Sequence, residues 1–175
     1  MQNILFIGAG SWGGALSYSL AKKGIDSTIW HRNKNIVSLM QESRVHYLIQ
    51  NLNFPDNVSF SNHISESIEK ADIIILAIPS QCIRQIIIDN KNYFSENQIL
   101  VNVSKGIENN SLMTVSNIII DELGTSYKKI VTLSGPSHAE EVIKLNPTTL
   151  VSSSKDLVSA KKVQTVFSSS FLRIY

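Results

Sequence analysis

The chain has 175 residues, of which 43% are hydrophobic and 17% charged. That is enough apolar matter to bury the core of one domain, and too little charge for a disordered chain. A formal net charge of +2 gives no electrostatic case for nucleic acid or a membrane surface as partner. The lone cysteine, Cys82, rules out an intrachain disulfide and a cysteine metal cluster. No apolar run approaches the roughly 18 residues of a membrane span. The first apolar run has no basic segment before it and ends in glycine, unlike a signal peptide. The expectation is one soluble, cytoplasmic domain over residues 1–175, with no metal, no nucleic acid and no membrane insertion.

Ile4-Leu5-Phe6-Ile7 has the pattern of a central parallel strand buried on both faces. Gly8-Ala9-Gly10-Ser11-Trp12-Gly13 follows at once and fits G-x-G-x-x-G, the turn that lets a backbone approach a dinucleotide pyrophosphate. Gly8 allows the tight turn, Gly10 leaves room for the phosphates, and Gly13 lets helix and strand pack closely. Trp12, Ala15, Leu16 and Leu20 continue at helical spacing until Lys22-Lys23-Gly24 ends the helix. The helix N-terminus offers unpaired N–H groups and a positive dipole end to an anion.

Ser27–Trp30 is the second strand, and the residues after it bear on the cofactor. A site selective for NAD places an acid there for the ribose 2′-hydroxyl. Here His31-Arg32-Asn33-Lys34 contains none. Arg32 suits bidentate pairing with a 2′-phosphate, or stacking on adenine, and His31 adds a hydrogen bond or partial charge. NADP(H) is favoured, with NAD(H) still open. From 35 to 57 a polar helix gives way to an irregular segment in which His46 and Tyr47 look like loop anchors. His46 and His63 lack partners at metal-ligand spacing, which makes them surface or structural histidines.

Val58–Phe60 and Ile64–Lys70 suggest a short strand and a short helix. Asp72–Pro79, reading Asp-Ile-Ile-Ile-Leu-Ala-Ile-Pro and ended by Pro79 and Ser80, is the strongest buried-strand signal. Its mouth should lie beside the glycine turn, which adds Pro79 to the cofactor set. Ser80 is expected to cap the next helix, where Cys82 reads as a buried, inert thiol. A strand over 98–103 leads to Ser104-Lys105-Gly106, with Lys105 placed to bind a phosphate or polarise a carbonyl. A helix is expected over 112–123, with Leu112 on its apolar face. A strand over 130–133 leads to Ser134-Gly135-Pro136-Ser137-His138-Ala139-Glu140, where Ser137 and Glu140 fit a capping box. Thr148–Ser152, Lys155–Phe167 and Phe171–Tyr175 complete the alternation as strand, helix and strand. The alternation predicts one doubly wound, mainly parallel α/β sheet of the Rossmann type.

Three blocks together resemble the bacterial-type NAD(P)-dependent glycerol-3-phosphate dehydrogenase family: Gly8–Leu16 with its Trp12, Val103–Glu108, and Leu133–Val142. Ala77–Ser80 and Trp30–Arg32 are similar too, and the likeness covers essentially the whole chain. It implies interconversion of dihydroxyacetone phosphate and sn-glycerol 3-phosphate by hydride transfer, with the reductive direction feeding phospholipid synthesis. By resemblance, Ser11, Trp12, His31, Arg32, Lys105 and Ala139 match cofactor-contacting positions, and Lys105, Gly135 and Ser137 match substrate-contacting ones. The family's helical second domain, with its proton-donating lysine, would start shortly after Tyr175, so the chain is expected to be truncated and inactive alone. The family's Tyr-Leu-Pro loop has Ile49 in place of the proline. A homodimer is left open for the full-length form. On the residues, two rivals also remain: a hydroxyacid or phosphogluconate type of dehydrogenase, and a non-catalytic dinucleotide-binding or sensor module.

Overall fold

In the computed structural model, which describes residues 2–175, the first apolar run forms strand β1 (Ile4–Ile7), buried at every position. It sits mid-sheet, hydrogen-bonded in parallel to β2 (Ser27–Trp30) on one side and β4 (Ile73–Leu76) on the other. Strand β3 (Val58–Ser61) continues beyond β2, and β5 (Ile99–Asn102) and β6 (Ile130–Ser134) beyond β4, all parallel. Strand β7 (Thr148–Ser153) runs antiparallel to β6, and β8 (Leu172–Ile174) lies parallel to β7. The spatial order is β3-β2-β1-β4-β5-β6-β7-β8.

Why the central strands are continuously apolar follows from their two faces. Alternate residues point to opposite sides of a strand. Ile4, Phe6, Ile73 and Ile75 join one core, while Leu5, Ile7, Ile74 and Leu76 join the other. Helices cover both sides. α1 (Ser11–Lys22), α2 (Lys34–Ser43) and α7 (Leu157–Phe167) contribute Leu16, Leu20, Val37, Met40, Val163 and Phe167 to the first core. α3 (Ile64–Lys70), α4 (Ser80–Asn90) and α5 (Val115–Leu123) contribute Ile68, Ile83, Ile87, Ile118 and Ile119 to the second. The short α6 (Ala139–Ile143) packs Ala139 and Val142 against Ala15 of α1.

Four local expectations are corrected. Helix α5 starts at Val115, because Leu112 is exposed and left-handed (φ 56°), a conformation outside a helix; Thr114 is the cap and accepts from the Asn117 N–H. Ser80 is the first helical residue of α4 and Pro79 precedes it as an N-cap without a side-chain bond. The Ser137–Glu140 box does not form: His138 is the N-cap of α6, and the Ser137 hydroxyl turns back to the Gly135 carbonyl. Cys82 is exposed, because the buried stripe of α4 runs through Ser80, Ile83 and Ile87 and leaves position 82 outside. No described helix is long and apolar enough to cross a membrane.

Candidate functional site

The strand order reverses about β1, with β2 leading one way and β4 the other, and the glycine turn leaves the carboxyl end of β1 at that switch point. In open α/β sheets this crevice is where ligands enter. Each glycine there has its own reason. Gly8 has φ +117°, and a Cβ on it would collide with the Ala77 carbonyl and the Ile78 side chain. A Cβ on Gly13 would strike the Gly8 carbonyl, and one on Gly14 the His46 ring. Gly10 differs. Its φ of −66° suits any residue, and a Cβ on it would meet nothing within 4 Å. The protein's own packing therefore does not require glycine at 10. Gly10 is the N-cap of α1, no side chain caps the helix, and its first turn holds no acid, so the N–H groups of that turn face the open space with their positive dipole end. Ser11 and Trp12 in this turn are half-buried.

At the mouth of β2, Arg32 is exposed and joins none of the ion pairs among the described residues. His31 is half-buried and its Nδ1 accepts the Asn33 N–H at 3.1 Å. Burial lowers the His31 pKa, the Asn33 backbone opposes this, and the Arg32 charge lowers it further. A neutral ring beside a fixed cation results. Tyr47, read from the sequence only as a loop anchor, lies with its ring 5.5 Å from that of His31. His46 is buried, 3% exposed, under the glycine turn, and is structural in a more specific sense than its sequence suggested. His63 is exposed, at the start of α3. The His46 Nδ1 accepts the N–H groups of Leu48 and Ile49 at 3.0 and 3.1 Å, while Nε2 has no partner. A buried donor left unpaired costs about 1–3 kcal/mol.

Lys105 projects from the loop after β5 and donates to the Ser137 carbonyl at 3.2 Å. With Asn102, Ser104, Thr114, Thr132, Ser134 and Gly135 it lines a cavity of about 450 Å³ at the carboxyl ends of β5 and β6. Gly135 thus reaches the same space as Lys105. Ser137 does not: its side chain is buried, and its carbonyl holds the lysine. Ala139 is buried against Ala15, behind Trp12, and Pro79 is exposed at the mouth of β4.

The loop carrying Lys105 is fixed at both ends. The Ser104 hydroxyl reaches the Leu76 and Ile78 carbonyls at 2.9 and 2.6 Å. Downstream, Gln81 of α4 donates to the Ile107 carbonyl at 2.7 Å and accepts the Asn109 N–H at 2.9 Å. One turn on, Arg84 grips Glu108 through Nε and Nη2, both at 2.9 Å, and also pairs with Asp121 and Glu122 of α5. The Arg84 hydrogen bonds hold the Glu108 carboxyl below the usual carboxylate range, with Ser111 adding to the effect. Gln81 and Arg84, three apart on one helix face, escaped sequence reading; an acid three residues past Lys105 was the only hint.

Comparison with known proteins identifies the family. Residues 3–160 match the model of the NAD-dependent glycerol-3-phosphate dehydrogenase N-terminus. A glycerol-3-phosphate dehydrogenase [NAD(P)+] of Pelodictyon phaeoclathratiforme is 39% identical over 99% of this chain and 53% of its own length. One from Clostridium botulinum is 40% identical over the whole chain and 52% of its own length. The chain therefore spans about half the length of these curated relatives. The crystal structure of glycerol-3-phosphate dehydrogenase from Coxiella burnetii superposes with a TM-score of 0.91 at 26% identity, covering 99% of this chain and 53% of that one. Prephenate dehydrogenase from A. aeolicus, at 16% identity, 100% and 59% coverage and a TM-score of 0.71, shares the fold alone. With a glycine turn bare at its centre, a lysine-lined cavity beside it and these matches along its length, the chain belongs to the family of NAD(P)-dependent glycerol-3-phosphate dehydrogenases, in the part that forms their N-terminal region.

Proposed function

We propose that this chain is the cofactor-holding part of an enzyme that interconverts dihydroxyacetone phosphate and sn-glycerol 3-phosphate, in the reductive direction supplying phospholipid synthesis in the cytoplasm. The observation that carries the reading is Gly10, whose missing side chain answers to no neighbour in the protein. The space suits a pyrophosphate on the uncapped N–H groups of α1, with Gly8, Ser11, Trp12 and Gly13 shaping the turn and Pro79 and Ala139 bounding it. When bound, a nicotinamide dinucleotide supplies the hydride. Arg32, an unpaired cation beside His31, favours NADP(H) over NAD(H). Lys105 and Gly135 take the substrate, the lysine placing its charge against a phosphate or a developing alkoxide, and Ser137 acts through its carbonyl by aiming Lys105. The proton donor belongs to the part of the relatives' length that this chain does not span, so the chain alone does not turn over.

The test is a dehydrogenase assay on the gene product that carries this chain, with dihydroxyacetone phosphate and NADPH. Oxidation of NADPH is expected, and Lys105→Ala should lower kcat by about 10²–10³-fold. Absence of turnover with this substrate, alongside turnover of a hydroxyacid or phosphogluconate, would contradict the assignment.

A further inference from the structure

His46 sits where two halves of the nucleotide cleft meet. Its ring is buried against Gly14 of α1, close enough that a Cβ on Gly14 would occupy the same space. Nδ1 accepts two backbone N–H groups, from Leu48 and Ile49, which fixes the proton on Nε2. The Nε2 edge of the ring lies against Gly14 of α1, where a Cβ on that glycine would meet it, and Nε2 has no hydrogen-bond partner. The segment that holds His46 is itself tied down. The His46 N–H bonds the Leu52 carbonyl at 2.9 Å, Val45 bridges Asn53, and the Phe54 N–H bonds the Arg44 carbonyl at 2.7 Å. Arg44 caps α2 in a left-handed turn and reaches the carbonyls of Pro55 and Val58. On the outer side of this closed loop, Tyr47 stacks on His46 at 5.3 Å and leans on His31 at the mouth of β2.

We propose that His46 is a positioning residue for the dinucleotide: its Nε2–H braces the glycine turn from beneath and couples that turn to the 44–54 loop. The pyrophosphate end of the cleft, at Gly10, and the adenosine end, at Tyr47 and His31, then tighten as one unit. A buried donor without a partner beneath the turn is satisfied when ordering of the turn around a bound anion brings a backbone carbonyl within its reach. Because the brace acts on the pyrophosphate turn shared by both cofactors, it contributes equally to NADH and NADPH. Arg32 acts on one of them only. The inference rests on the dinucleotide reading of the site.

The experiment is calorimetric titration of wild-type chain and His46→Asn with NADPH and with NADH. Asn retains an acceptor for the N–H two residues on, which preserves the local turn, but is too short to reach α1. Both cofactors should bind about fivefold to tenfold more weakly to the variant, by the same factor. Unchanged affinity, or a loss confined to NADPH, overturns the brace. Should His46→Asn fail to fold, the wild type decides through its imidazole ¹⁵N spectrum. The Nε2-protonated neutral tautomer is expected, with the Nε2 resonance moving on saturation with either cofactor; the other tautomer, or an Nε2 signal indifferent to cofactor, refutes it. If wild-type chain binds neither cofactor, the dinucleotide reading itself falls, and the brace with it.

Discussion

Arg32 and His46 show how much a residue's chemistry reveals before its neighbours are known. The basic, acid-free end of β2 was legible in the sequence, because cofactor preference there depends on residue type at one position after one strand. Substituting Arg32→Ala should weaken NADPH binding by about 10–100-fold, the worth of charge-assisted hydrogen bonds, and leave NADH nearly unchanged. Fluorescence titration of both cofactors checks this, and equal losses would remove Arg32 from the 2′-phosphate. His46 was not legible. Nothing in its sequence surroundings says that a loop folds it beneath Gly14, a contact made across 32 positions of chain only in the folded state. Its burial lowers the pKa from the ordinary 6.5, with the Gly10 and Ala9 carbonyls opposing the shift. The folded protein therefore resists protonation at His46 that the unfolded chain accepts. That stability is fully present above about pH 6.5 and is lost as pH falls below it toward the depressed folded value. Between pH 7 and pH 5 the wild-type Tm should drop more than that of His46→Asn, and parallel drops would show that His46 does not contribute to the acid sensitivity.

Helix α4 is the element that connects packing to the site. Ile83 and Ile87 bury it on the sheet, and Gln81 and Arg84 on its other side grip the 107–109 backbone and Glu108. Removing the guanidinium in Arg84→Ala leaves Glu108, Asp121 and Glu122 to repel one another. Amide hydrogen exchange over residues 104–109 should rise by at least about tenfold while β4 keeps its protection, a local opening of the kind expected where few apolar contacts hold a loop. Uniform loosening of both regions would deny the clamp its local role. In β4 the expectation is different in kind. Ile75 is fully buried between β1 and β5, so Ile75→Ala should cost about 2–5 kcal/mol in denaturant unfolding. The strands were legible because a strand covered on both faces has to be apolar at consecutive positions. Helix starts were less so. Leu112 fits the apolar spacing of α5 yet lies in a left-handed turn outside it, and Ser137 fits a capping box yet faces Gly135. In both cases a short-range turn, Leu112 N–H to the Glu108 carbonyl and Ser137 hydroxyl to the Gly135 carbonyl, took the place of the expected pattern.

At the scale of the molecule, the central sheet order places the glycine turn, the mouth of β2 and the Lys105 cavity along one edge, although Gly8, Arg32 and Lys105 are far apart in sequence. The alternation of strands and helices foretold this arrangement, since helical crossovers make neighbouring strands parallel and parallel strands share one carboxyl side. The antiparallel β7 was beyond it, because its residues carry no mark of direction. Spanning about half of its relatives' length, the chain carries the glycine turn and the Lys105 cavity at the carboxyl ends of one sheet. The most direct measurement is calorimetric titration of the chain with NADPH, beside Gly10→Asp. Because Gly10 has space around it and an unstrained backbone, the variant should fold with near-normal Tm while its carboxylate fills the phosphate space and repels the pyrophosphate. Saturable one-to-one binding by the wild type, reduced by at least about a hundredfold in Gly10→Asp, is the result predicted. Equal binding by the two proteins would contradict the account, because the nucleotide would then lie elsewhere.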